Sequence, residues 1–403
     1  MANSPTITAP SPSFQSSLSH LKITLQPNGS SKSNSLPPSS IHSPAIFAHD
    51  LTEQLNEAEK AKYIKDRKVG EGTYANVYLG HLASNPSSLV AIKKIKIQAD
   101  YKEGLAPDAV RELKFLQELS HPNIISLLSV YSSKGQNLNL VLEYLPLGDL
   151  EMMIKDHDIV YGTADMKAWM GMLCRAVYFC HANFVLHRDI KPNNLLIASD
   201  GSLKLADFGL ARSFSNPGRP MTTNVITTWY RPPELFFGAK HYAGAVDVWS
   251  VGMVFAELIL RAPYVWANSE IEQIAKICET LGTPTEENWP GVTRLPKYIV
   301  HEPVKPLISR EEWMARLGAV GAVGVDLVVE MLTFDPRRRI TAEGALRHGW
   351  WSVEPRPTAL RELPRKREGG QERMGEDLKR RPGILDDEQG AKVARKLEFG
   401  GMK

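Results

Sequence analysis

Apolar positions along the chain fall into two regimes. Short alternating or continuous apolar runs predict strands over 63–69, 75–81 and 88–96, the first two meeting at a glycine-containing turn. Residues 109–119 place apolar side chains at helical spacing, and 124–131 and 138–144 again read as strands. Pro146 and Gly148 break this pattern, after which helical periodicity dominates, over 165–182, 245–260, 269–281, 323–334 and 342–349. The pattern predicts an α+β chain in two parts. Residues 63–145 form an antiparallel β-sheet with one main helix, and 146–353 are mostly helical. The ends differ. Residues 1–57 are rich in Ser, Pro and Asn, too poor in large apolar groups to offset the entropy of ordering, and are expected to be disordered. Residues 354–403 are charged and rich in Pro and Gly, and are expected to be a mostly disordered tail.

Composition narrows the classes. A hydrophobic content of 43%, a charged content of 23% and a net charge of +3 are those of an ordinary globular chain, and give no sign of nucleic acid or membrane as the main partner. Cys174, Cys180 and Cys278 lack metal-ligand or C-x-x-C spacing and read as buried thiols in a reducing compartment. No apolar run reaches the length of about 20 residues that a spanning helix needs. The N-terminus lacks the basic start and apolar stretch of a signal peptide, and the absence of arginine before Arg67 argues against a transit peptide.

Three motifs carry chemistry. Gly70-Glu71-Gly72-Thr73-Tyr74-Ala75-Asn76-Val77 lies between two predicted strands, where glycine lets backbone approach phosphate oxygens that a Cβ would block. Ala75 replaces the third glycine and a strand follows, so this is not a dinucleotide fingerprint; alone it suits a plain hairpin equally well. Lys93, in Ala91-Ile92-Lys93, is a cation within an apolar strand and needs a partner, which Glu112 on the following helix can supply. His187-Arg188-Asp189-Ile190-Lys191-Pro192-Asn193-Asn194 gathers a carboxylate, a cation and an amide on one loop. Asp207-Phe208-Gly209 follows across a hairpin turning at 199–202. Asp207 and Asn194 are hard oxygen ligands suited to magnesium, and Asp189 can orient a hydroxyl and take its proton. Each motif recurs by chance; together, in this order and context, they point to phosphoryl transfer.

On these residues the chain resembles the protein kinase superfamily over 63–353. The resemblance implies a bilobal kinase fold, ATP and Mg2+ as cofactors, and Ser/Thr specificity. The turn running through Val69, Gly70, Glu71, Gly72, Thr73, Tyr74, Ala75, Asn76 and Val77 would cover the phosphates. Lys93 would contact the α- and β-phosphates and pair with Glu112. Ala91, Val77 and Leu196 would sandwich the adenine, with Glu143 and Leu145 offering backbone groups and Leu142 as gatekeeper. Asp189 would be the catalytic base, Lys191 would neutralise the transferring group, and Asn194 and Asp207 would hold the metal. Glu234 would pair with Arg339, and Asp247 would anchor the catalytic loop. Arg231-Pro232-Pro233-Glu234 departs from the usual Ala-Pro-Glu, and Pro232 lacks the N–H a residue there would offer.

Trp229-Tyr230-Arg231 and the stretch 274–289 resemble cyclin-dependent and MAP kinases. Met221-Thr222-Thr223-Asn224 lacks the Thr-x-Tyr of the latter. The runs 115–125, 191–196 and 280–290 are similar to the TFIIH-associated kinases that activate other cyclin-dependent kinases. That resemblance implies a cyclin H-like partner, a RING-finger assembly factor, the TFIIH core and a nuclear location. Its implied substrates are the RNA polymerase II C-terminal repeats and the activation loops of other cyclin-dependent kinases. Neither direct nucleic-acid nor membrane binding is implied. Thr222 aligns with the family's activation-loop phosphothreonine, with Arg111, Arg188 and Arg212 as its phosphate ligands; Thr223 is an alternative acceptor. Asn216, with Ser215 beside it, stands at a second family phosphosite. Thr73 and Tyr74 match an inhibitory pair but are read as structural. Arg365-Lys366-Arg367 and Lys379-Arg380-Arg381 suit a bipartite nuclear signal or a solvated tail equally. A pseudokinase and a cyclin-dependent kinase of cell-cycle or splicing control are the competing readings.

Overall fold

The computed structural model describes residues 44–71, 75–95, 107–133, 137–215 and 220–365. After helix α1 (Pro44–Ala61) come β1 (Tyr63–Glu71), β2 (Ala75–Leu82) and β3 (Asn85–Ile95), then α2 (Pro107–Glu118), β4 (Leu127–Ser133) and β5 (Asn137–Glu143). The strands form one antiparallel sheet in the order β1-β2-β3-β5-β4. Strand periodicity divides β3 between two environments. Val90 and Ile92 are buried with Val141 and Tyr131 on one face, while Ala91 and Lys93 alternate onto the other, opposite Leu142 and Leu140 of β5. On α2 the buried residues are Ala109, Glu112, Phe115 and Leu116, so one carboxylate is carried inward by an otherwise apolar helix face.

The remaining elements are α3 (Leu150–Lys155), α4 (Thr163–Ala182), β6 (Val185–Leu186), β7 (Leu195–Ile197), β8 (Leu203–Leu205), β9 (Arg212–Ser213), α5 (Pro233–Phe236), α6 (Ala245–Leu260), α7 (Glu270–Leu281), α8 (Arg310–Leu317), α9 (Gly321–Met331) and α10 (Ala342–Arg347). Helices α4 and α6 are apolar on nearly every side and form the centre of this part, with Trp169, Leu173, Trp249 and Phe255 fully buried. Gly244, just before α6, admits no side chain: a Cβ there would lie 2.6 Å from the His181 ring. The ring thereby comes close enough for its Nε2 to bond Asp247 at 2.9 Å. Cys174, Cys180 and Cys278 are free and buried, and burial pushes the Cys174 thiol up to about 12. Among the described residues no helix is long and apolar enough to cross a membrane.

Four expectations need adjustment. The boundary placed at residue 57 falls inside α1. Asn56 exchanges two hydrogen bonds with the backbone of Ser132 (3.0 and 2.7 Å), and Ser129 donates to Glu59. The helix thus satisfies polar groups of the edge strand β4, a partnership with no local apolar signature. Residues 1–43 lie outside the described residues. The strand expected from 124 starts at Leu127, because Ile124 instead makes a bridge to Leu205. The tail boundary at 354 is also too early: Leu363 is buried and Thr358 bonds α4 through both backbone and side chain, whereas 366–403 lie outside the described residues. Finally, α3, α5 and α8 escaped the periodicity because they span only two turns or fewer, although Ser309 and Glu312 form a legible capping box for α8.

Candidate active site

Lys93 Nζ lies 2.6 and 2.7 Å from the two carboxylate oxygens of Glu112 and 3.5 Å from Asp207 Oδ1. Three distant parts of the chain therefore meet at one ammonium. Burial alone would lower the Lys93 pKa, but the Asp207 and Glu112 carboxylates outweigh it and hold it above its ordinary value. Lys93 in turn pulls Asp207 down to about 2, against the effect of burial. Asp207 sits at φ 64, a left-handed conformation uncommon outside glycine. It is held by the residue after it: Phe208 is fully buried with its ring against His187, centroids 4.8 Å apart.

The loop after β6 is built on a buried carboxylate. Asp247 of α6 accepts the backbone N–H groups of His187 (3.0 Å) and Arg188 (2.8 Å), the latter at φ 64. His187 Nε2 donates to the Ala206 carbonyl at 3.0 Å, which leaves Nδ1 to accept the Asp189 N–H at 3.2 Å. Burial keeps this imidazole below its ordinary pKa, consistent with that neutral tautomer. The Asp189 carboxylate is then surrounded by donors: Lys191 Nζ at 2.7 Å, Asn194 Nδ2 at 2.9 Å and the Thr227 hydroxyl at 3.0 Å. Lys191 also reaches Thr227 at 3.0 Å. Asn194 spends its amide nitrogen on Asp189, so its amide oxygen remains available for a cation. Asn194 and Asp207 flank the β7–β8 hairpin, tied by the bond from Ala206 N–H to the Asn194 carbonyl at 2.9 Å. One amide oxygen and one carboxylate fit magnesium, which is usually held by few protein ligands and completed by phosphate and water. No group of three or more His, Cys, Asp or Glu side chains suited to a metal occurs among the described residues.

The adenine candidates line the cleft as expected from the strand register. Val77 pairs with Lys93 and Ala91 with Leu142, and Leu196 on β7 is half-buried and bridged to Asp149. Leu142 and Leu145 are buried. Glu143 turns its side chain away to accept Lys204 and the Ser126 N–H, both at 2.8 Å. Val69, Gly70, Glu71, Ala75 and Asn76 lie on β1 and β2, while Gly72, Thr73 and Tyr74 are outside the described residues.

Of the three arginines expected around Thr222, one is there. Arg188 Nη1 lies 3.5 Å from the Thr222 hydroxyl, and Tyr242 links the two, bonding Arg188 at 2.9 Å and the Thr222 carbonyl at 2.6 Å. Arg212 donates to the Pro220 carbonyl at 3.4 Å, and Arg111 is engaged by Asp108 on its own helix. Thr222 is exposed and Thr223 half-buried; Ser215 is exposed and Asn216 lies outside the described residues. Glu234 and Arg339 form a fully buried bidentate pair at 2.7 and 3.0 Å despite Pro232, whose carbonyl still accepts the Leu235 N–H.

Sequence reasoning missed Thr227 and Ile226. Thr227 had no signal beyond lying in a polar run. Ile226, a β-branched residue, sits at φ 67, and its carbonyl accepts two bonds from Arg231 at 3.2 and 3.1 Å. Only the folded backbone reveals that.

These contacts join Lys93, Glu112 and Asp207, and gather Lys191, Asn194 and Thr227 around Asp189, an arrangement suited to phosphoryl transfer, and comparison with known proteins agrees. Residues 63–351 match the family described as protein kinase domain, and the chain belongs to that family. Within it, the chain is 48% identical to the serine/threonine-protein kinase KIN28 of Saccharomyces cerevisiae over 74% of its own length and 95% of that protein's. It is 43% identical to cyclin-dependent kinase 7 of Xenopus laevis, over 78% of this chain and 87% of that one. A chain in the structure of the CAK complex from Chaetomium thermophilum bound to ATP-gamma-S is 66% identical, with a TM-score of 0.76, covering 78% of this chain and 98% of that one. The chain is a serine/threonine protein kinase of the KIN28 and cyclin-dependent kinase 7 type.

Proposed function

We propose that the chain, paired with a cyclin, transfers the γ-phosphoryl group of ATP to Ser or Thr followed by Pro. Its substrates are the RNA polymerase II C-terminal repeats and the activation loops of other cyclin-dependent kinases. It acts in the nucleus, with a RING-finger assembly factor and the TFIIH core. The relatives' names and the ATP-gamma-S complex support the cyclin and the nucleotide. Within the cleft, Lys93, held by Glu112, binds the α- and β-phosphates, and Ala91, Val77 and Leu196 enclose the adenine. Asn194 and Asp207 hold Mg2+, which bridges the phosphates and offsets charge developing on them. Asp189 orients the substrate hydroxyl and takes its proton, while Lys191 steadies the transferring group.

The observation that carries the substrate class is the turned carbonyl of Ile226. Occupied by Arg231, it cannot accept an N–H from the residue after the phosphoacceptor. An ordinary residue there would leave its N–H unpaired, at a cost of about 1–3 kcal/mol, whereas proline has none to lose. Phosphorylation of Thr222 would give Arg188 a dianionic partner and draw Arg212 and Arg111 from their present contacts. The test supplies the cyclin-bound protein with a Ser-Pro heptad peptide, its Ser-Ala counterpart and an unphosphorylated cell-cycle kinase. Transfer to the first and third, with at least tenfold lower kcat/KM on the second, is expected. Transfer to neither the heptad nor the kinase would sink the substrate assignment.

A further inference from the structure

A second cavity, of about 700 Å3, shares no residue assigned to ATP or transfer. Lys167, Gly171 and Arg175 along one face of α4, Lys204 of β8, and Trp351 and Leu360 near the C-terminus line it. That volume lies within the range of ligand pockets. Lys167 is 1% exposed, yet its ammonium is met only by the carbonyls of Val353 and Pro355 (2.7 and 2.8 Å) and, at 5.2 Å, the face of Trp350. Among the described residues no carboxylate forms an ion pair with it; Glu354, the one whose charge it feels, is paired with Arg356. A buried ammonium without a directly bonded counter-charge is costly, and burial lowers its pKa despite the Glu354 charge nearby. Arg175, two turns further along the same face, has only Asn123 Oδ1 at 3.5 Å. Two cations with no ion-paired carboxylate therefore border a cavity that also holds Lys204 and, at its edge, Asp200, whose carboxylate accepts the Ser202 N–H.

The chain past Arg365 offers a segment of matching chemistry. Ile384-Leu385-Asp386-Asp387-Glu388 puts two branched apolar residues directly before three carboxylates. The nearer acidic pair, Glu376-Asp377, runs into Lys379-Arg380-Arg381, which would set like charges against Arg175. Arg365 is already bonded to the carbonyl of Asp200 at the cavity's edge, at 2.8 Å. The segment begins 19 residues after Arg365, and a random coil of about that length has a root-mean-square reach of roughly 25 Å, enough to return there.

We propose that this cavity is a docking site for an acidic peptide with branched apolar residues, and that its occupant is the chain's own segment 384–388. The carboxylates neutralise Lys167 and Arg175, and the apolar pair covers Trp351 and Leu360. The probe is a fluorescein-labelled peptide of residues 382–390, followed by anisotropy against full-length protein. Protein carrying Asp386→Asn, Asp387→Asn and Glu388→Gln should bind the probe. Adding Arg175→Glu should weaken binding at least about tenfold, as loss of a charge-assisted contact implies. Adding Gly171→Leu instead should abolish binding without changing charge, since a Cβ there already lies 3.4 Å from Arg175 and 3.6 Å from Trp351. Protein with its natural tail should bind at least about tenfold more weakly, its own segment competing at high local concentration. Retained phosphoryl transfer reports that each variant folds, and Arg175, being exposed, keeps the test open should the leucine variant fail. No binding to the neutralised-tail protein, or undiminished binding after Arg175→Glu, overturns the site. Equal binding with the natural and neutralised tails overturns the intramolecular occupant.

Discussion

Replacing Asp189 by Asn tests the catalytic assignment at its centre. The carboxylate accepts from Lys191, Asn194 and Thr227 at 2.7–3.0 Å, and its oxygens are the only acceptors those three donors share. An asparagine keeps the volume and one acceptor but turns an NH2 towards a donor, and it has no basic oxygen to take the substrate proton. General acid–base groups contribute about 10²–10⁴-fold, which corresponds to about 3–5 kcal/mol of barrier. We expect kcat to fall by that factor while the KM for ATP changes less than about threefold, because Lys93 and Asp207 remain in place. Thr227→Ala provides a graded control. It removes one neutral donor from Asp189, worth about 1 kcal/mol, and should lower kcat about fivefold. Both numbers come from single-turnover transfer to a saturating peptide by the cyclin-bound protein, with thermal melting to verify folding. A folded Asp189→Asn protein with near-normal turnover would refute the role of Asp189. A Thr227→Ala loss as large as that of Asp189→Asn would show that Thr227, rather than the carboxylate, handles the proton.

Lys93→Met should reduce transfer at least about 100-fold and raise the KM for ATP, since it removes the cation shared by Glu112 and Asp207; activity within tenfold of wild type in a folded variant contradicts the phosphate-binding role. Glu234→Gln breaks a buried bidentate pair with Arg339 and should cost about 3–5 kcal/mol, read as a lowered denaturant midpoint. Glu257, which accepts the Tyr230 hydroxyl at 2.7 Å, is raised by burial to about 7. Its folded pKa exceeds the unfolded value, so its contribution is full below about pH 4.5 and is lost as pH rises towards 7, a change of about 3 kcal/mol. The stability difference between wild type and Glu257→Gln, measured by denaturant titration, should therefore shift against wild type from pH 5 to 7.5; a pH-independent difference excludes the titration.

The strands that build the cleft were legible because each alternates, and alternation decides which side chains share a face. Lys93 stood out as a cation within an apolar strand, and the structure places it with Ala91 on the face opposite Val90 and Ile92. Glu112 was legible for a different reason: a cation within an apolar strand needs a partner, and Glu112 on the following helix can supply one. The same logic fails where the partner is polar and remote. Helix α1 is tied to β4 by Asn56 and Glu59, and the closing segment to α4 by Thr358, through hydrogen bonds spanning 70 to 193 positions in sequence. No periodicity encodes such contacts, so both ends of the ordered body were placed too far inward.

The activation segment shows the same limit from the side of charge. Three arginines were expected to converge on Thr222 because a phosphate would collect them, and an unphosphorylated threonine gives them no reason to. Arg111 is satisfied by Asp108 at 2.5 Å, within its own helix, and Arg212 by a carbonyl. Only Arg188 is already in place, because its position is fixed independently: Asp247 holds its N–H, and the Leu210 carbonyl holds its Nε at 2.8 Å. Arg188 is thus fixed beside Thr222 whether or not the threonine carries a phosphate, whereas Arg111 would have to give up Asp108 to reach one. An exposed Asp–Arg pair such as that of Arg111 contributes about 0–1 kcal/mol, and a charge-assisted bond to phosphate about 1.5–3 kcal/mol. Were Thr222 phosphorylated, exchanging the Asp108 pair of Arg111 for the phosphate would therefore be favourable by about 1–2 kcal/mol.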